Sequence, residues 1–133
     1  MKTKLKEEKL RIKDYVYILL MVLLIILIFT FIDFLIHLLS EEYAVPDYYF
    51  KNKIIFGTGI GFIAYLVFRK LSLPIKSLAF SVAISVLLQV RYFLEGYSIK
   101  FVLEFLLIHF LILLVTSFLI FKLLEKVMKG GNK

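Results

Sequence analysis

Asp33 and His37 stand four residues apart inside an apolar run, a spacing that puts both on one helix face, together with Thr30. A carboxylate and an imidazole so placed can exchange a proton, hold a cation or ligate a metal. Gln89 and Arg91 sit at the end of the third apolar run, and His109 lies inside the fourth. We read Asp33, His37, Gln89, Arg91 and His109 as the lining of one polar pocket. The competing reading is structural: ion pairs, for example Asp33 with Arg91, that lock helices together. The candidate cations for Asp33 are Arg91 and the two histidines. Glu104 is set apart. It is five residues from His109, about 140° around a helix, and four after Lys100, with which it can pair near a membrane boundary.

No specific catalytic constellation emerges. Asp33, His37 and His109 are permitted metal ligands, but Asp-x-x-x-His alone does not specify a metal. Bis-histidine haem needs two opposed imidazoles. His37 and His109 sit at estimated depths of about 3 and 12 Å, counted at 1.5 Å per residue, which argues against it. No metal and no cofactor are therefore expected. The chain has no Cys, which excludes thiol nucleophiles, dithiol redox centres and Cys zinc sites. The run GTGIG (57–61) lacks the Lys-Ser/Thr of a phosphate loop. Gly57 and Gly61 read instead as a close-contact helix face. Ser77, Ser81 and Ser85, followed by Gln89 at the same four-residue spacing, read as a packing stripe more than as an ion or proton path.

The elements that must carry these residues are membrane spans. Hydrophobic residues make up 62% of the 133, against about 45–50% in a soluble domain, and mean hydropathy is +0.94. The charges cluster between long apolar runs. A soluble enzyme, a disordered tail and a disulfide scaffold are excluded. The sequence predicts an all-α membrane protein, a single domain of four transmembrane helices in an up-down bundle. The spans are placed at 15–39, 54–70, 73–91 and 100–122, after a basic N-terminal extension, 1–14, in which Glu7 and Arg11 can pair along a helix. The first run is too long for a signal peptide and lacks a cleavage site. The middle runs are short, at 15 and 14 uncharged residues. A re-entrant hairpin would bury Arg69, Lys70 and Lys76 at its tip, at about 2.5–3.5 kcal/mol or more each, so both are read as short spans with local bilayer thinning.

Orientation follows from Lys and Arg. Thirteen lie in the N-terminal segment, the middle turn and the C-terminal tail, and four (Lys51, Lys53, Arg91, Lys100) in the other two loops. That split puts both termini in the cytosol. Every ionisable residue within a span then falls in the outer half of the membrane. The leading expectation is a non-enzymatic multi-pass protein of the cell membrane, binding a lipid or a partner, or acting in assembly, through an outer-leaflet polar pocket. Its partners are the bilayer, a bound lipid and a second copy or another membrane subunit; nucleic acid is not expected. Two alternatives remain. One is a small oligomeric, proton-coupled carrier using Asp33. The other is a membrane enzyme acting on a lipid-linked substrate from the outer face, with His37 or His109 as acid/base and Arg91 on a phosphate.

Overall fold

The computed structural model describes residues 10–130, with side chains to 128; Glu7, of the expected Glu7–Arg11 pair, lies outside the described residues. Four long helices follow in order: α1 (Ile12–His37), α2 (Tyr48–Phe68), α3 (Leu73–Leu94) and α4 (Ile99–Gly130). A short 3-10 turn, Glu41–Tyr43, lies between α1 and α2. No strand occurs among the described residues. All four helices are long and apolar enough to cross a membrane. α2 and α3 have 21 and 22 residues, or about 32 Å at 1.5 Å per residue. That is the thickness of a hydrocarbon core of about 30 Å.

Local chemistry sets the ends. Asp14 accepts from the backbone N–H of Arg11 at 2.9 Å and starts α1. Pro74 occupies the first turn of α3, where a missing N–H costs nothing. Gly96, at φ +92°, turns the chain between α3 and α4, a left-handed conformation that glycine adopts freely. Ser98 Oγ then accepts from the Phe101 N–H at 3.2 Å and caps α4.

Each helix packs on its sequence neighbour, and α1 also packs on α4, closing the ring. The interior face of α1 runs Ile18, Met21, Val22, Ile25, Ile26 and Phe29, all buried, at the three-and-four spacing of one helix face. The same face continues into Thr30, Asp33 and His37, so the packing stripe turns polar at one end. The opposite faces carry exposed apolar side chains such as Leu20, Phe31, Ile63, Val67, Leu107 and Leu119, as suits contact with lipid.

Candidate functional site

One end of the helix ring collects the C-terminal part of α1, the N-terminal part of α2, the C-terminal part of α3 and the N-terminal half of α4. Asp33 lies at its centre and is 0% exposed. Lys53, on α2, donates from Nζ to Asp33 Oδ2 and also faces His37 Nε2 at 3.3 Å. His109, on α4, donates from Nε2 to Asp33 Oδ1 at 2.9 Å. Its Nδ1 accepts from Gln89 Nε2 at 2.7 Å. His37 donates from Nδ1 to the Tyr43 carbonyl in the 3-10 turn, which leaves Nε2 as the acceptor for Lys53. Tyr92 O–H also reaches that Nε2, at 3.4 Å. These partners assign both tautomers.

Aromatic rings wall the cluster. His37 stacks on Phe105 with centroids 4.3 Å apart and planes 2° apart. Phe29 stands edge-on to His109 at 5.1 Å. Lys53 Nζ lies 5.4 Å from the Tyr92 ring centre, within cation–π range. Burial weakens water's screening and strengthens each polar contact, but makes an unpaired group costly. Gln89 Oε1 is buried with no hydrogen-bond partner, as is Thr30 Oγ1 one turn before Asp33.

The structure thus gathers Asp33, His37, Gln89 and His109. It does not bring Arg91 to them. Arg91 is about a third exposed and pairs with Glu95, one helical turn on, at 3.7 Å; its guanidinium lies over the Tyr49 ring at 5.3 Å. The expected Asp33–Arg91 pair is replaced by Asp33–Lys53. The reason is a helix boundary. α2 begins at Tyr48, not at 54, so Lys53 is a residue of the second helical turn and projects inward, where a loop residue would have met solvent. A lysine shortly before an apolar run resembles an interfacial anchor, and only the presence of a buried Asp33 in need of a cation could have pointed to it. Glu104 lies apart from the cluster, 3.9 Å from Lys100.

A cleft of about 270 Å³ opens beside this cluster, between α2 and α3. Phe56, Ile60, Leu87 and Leu88 form its apolar walls. Lys53, Asn52, Arg91 and the Tyr49 and Tyr92 rings stand toward its polar end. Arg91 Nε is buried without a hydrogen-bond partner.

A second charged cluster occupies the opposite end. Lys76 of α3 donates to Glu125 of α4, and Tyr65 of α2 donates to the same Oε2. Lys76 is 4% and Glu125 9% exposed. Tyr17 O–H reaches the Leu124 carbonyl at 3.0 Å beside them. The expectation that ionisable residues fill one half of the bundle is therefore wrong. It counts Lys76 with the middle turn, although the third span is placed from 73, where α3 does start, and it leaves Glu125 in a tail, whereas α4 continues past residue 122 to Gly130.

The small residues lie in helix contacts. An added Cβ at Gly61 would meet Val22 at 2.8 Å and Phe80 at 3.2 Å, and one at Gly57 would meet Ile26 at 3.3 Å. Ser77, Ser81 and Ser85 are fully buried or nearly so. Ser81 Oγ stands 3.4 Å from Ser117 Oγ of α4, and Ser85 Oγ donates back to the Ser81 carbonyl at 2.7 Å.

The chain matches no protein-family model, no curated protein and no solved structure.

Proposed function

We propose that this chain is a non-enzymatic, multi-pass membrane protein that holds an anionic lipid in the cleft between α2 and α3. The observation that carries this reading is the cleft's division into two parts. Its walls are apolar (Phe56, Ile60, Leu87, Leu88), while Lys53 and Arg91 stand at one end. An acyl chain suits the walls. A headgroup phosphate suits Arg91, whose side chain is about a third exposed and whose planar fork matches phosphate oxygens. The closed pairing of Asp33 supports a locking role for the buried network, with binding left to the cleft.

In this reading the helices run up-down through the cell membrane with both termini cytosolic. Lys53 and Lys76 are buried, so they are removed from the charge count. Twelve Lys and Arg then remain on the terminal side against three on the other, which keeps the orientation rule satisfied. The cleft's polar end accordingly faces the outer leaflet.

Native mass spectrometry of the protein released from mixed micelles tests the proposal. Phosphatidylglycerol should be retained in preference to phosphatidylcholine, and Arg91→Gln should remove the preference. Filling the cleft with Leu87→Trp should remove retention of both lipids. Equal retention of the two lipids by the wild-type chain contradicts the proposal.

A further inference from the structure

We infer that Asp33, His37 and His109 form a binding site for a divalent transition-metal ion such as Zn²⁺, a site in which the ammonium of Lys53 stands in for the ion. One carboxylate oxygen and one nitrogen from each ring lie within 4.8 Å of one another. Ligands about 2.0–2.2 Å from a tetrahedral ion stand about 3.5 Å apart, so the three side chains need close by only about an ångström. Imidazole and carboxylate are the donors that zinc accepts, and three protein ligands with one open position is a common zinc arrangement.

Two further observations point the same way. Both rings are anchored on the nitrogen that would face away from the ion, as metal-ligating histidines are. His37 Nδ1 is held by the Tyr43 carbonyl, which leaves the Nε2 lone pair as an acceptor that now faces Lys53 and would turn to an ion once Lys53 withdraws. His109 Nδ1 is held by Gln89. In the present arrangement His109 Nε2 carries the proton. Turning the Gln89 amide over would offer Oε1, now without a partner, to an Nδ1–H, and free Nε2 as a ligand. Second, the site already accommodates a cation. Lys53 Nζ contacts both Asp33 Oδ2 and His37 Nε2, two of the three ligands. Lys53 also lines the cleft, so its flexible stem has a route out of the site toward the membrane surface.

Displacement of Lys53 makes a quantitative expectation. A site open only for the fraction of time that Lys53 is withdrawn binds more weakly by that fraction. Removing the ammonium should tighten binding.

The chain has two His, both in this site, and no Cys, so metal binding by the untagged protein reports on it with little background. Co²⁺ titration in detergent, read by visible absorption and followed by Zn²⁺ displacement, is the experiment. The wild-type chain should take up one Co²⁺ with the intense bands of a tetrahedral ion. His37→Ala/His109→Ala should abolish them. Lys53→Met should bind at least about tenfold more tightly. Zn²⁺ should also raise the thermal midpoint of Lys53→Met more than that of the wild type, because tighter binding to the folded state stabilises it more. Failure of the wild-type chain to bind overturns the inference, whatever the variants do. So does binding retained without the two histidines. Equal affinity in wild type and Lys53→Met overturns the displacement of Lys53.

Discussion

Lys53 ends on Asp33. The two side chains are 4% and 0% exposed, come from different helices, and neutralise each other where neither could stand alone. A bare carboxylate or ammonium inside an apolar bundle is unfavourable by several kcal/mol. The pair therefore ties the register of α2 to that of α1: sliding either helix by one turn would leave both charges unmatched.

Breaking the pair from one side should be costly. Asp33→Asn and Lys53→Met should each lower stability by about 3–5 kcal/mol, because each strands the other charge. The double variant should recover at least about 1 kcal/mol of the summed loss, since residues in one network couple. Unfolding in mixed micelles, followed by circular dichroism, measures all three. Strict additivity would show that the two side chains do not act on each other.

The four helices were legible in the sequence because membrane spans announce themselves by length and apolarity. The start of α2 and the end of α4 were not. Residues 48–53 mix two Tyr, a Phe, an Asn and two Lys, a composition that suits an interfacial loop as well as a first helical turn and a half. The site's membership was legible in Asp33, His37, Gln89 and His109, since buried polar residues in spans must meet something. Its cation was not, because Arg91 and Lys53 lie near the same end and only the three-dimensional rotation of α2 decides between them. Lys76 and Glu125 were hidden for the same reason: each lies near the end of an apolar run, where charge is expected to face water.

The two glycines Gly59 and Gly61 make a matched comparison. A Cβ at Gly61 would press on Val22 at 2.8 Å, whereas one at Gly59 meets nothing within 4 Å. Gly61→Leu should unfold the bundle or force α2 away from α1, and Gly61→Ala should lower the thermal midpoint. Gly59→Ala should change stability by no more than about 0.5 kcal/mol, as at an unencumbered surface position. A Gly61→Ala midpoint equal to that of Gly59→Ala would contradict the close approach of α1 and α2.

The Glu125 cluster offers a graded test. Tyr65→Phe removes one hydrogen bond between helices and should cost about 0.6 kcal/mol, with about 1.7 as the upper end for membrane bundles. Glu125→Gln leaves Lys76 without a counter-charge and should cost more, about 3–5 kcal/mol. Denaturation of the two variants side by side reads the order. A larger loss in Tyr65→Phe would contradict the buried ion pair.

Orientation is open to chemical labelling, since the chain has no Cys of its own. Asp47→Cys, before α2, should react with an impermeant maleimide added to intact cells. Pro74→Cys, at the start of α3, should react only after permeabilisation. The reversed pattern would put the cleft's polar end at the cytosolic leaflet.

A phosphatidylglycerol carrying a photoreactive group on its acyl chain, crosslinked to the protein in bilayers and located by peptide mass spectrometry, tests lipid binding in the cleft most directly. The label should concentrate on Phe56, Ile60, Leu87 and Leu88, and fall when Leu87→Trp fills the space between α2 and α3. Label spread evenly over the exposed residues of the other faces, Leu107 and Leu119 included, and unchanged by Leu87→Trp, would contradict a bound lipid at this site.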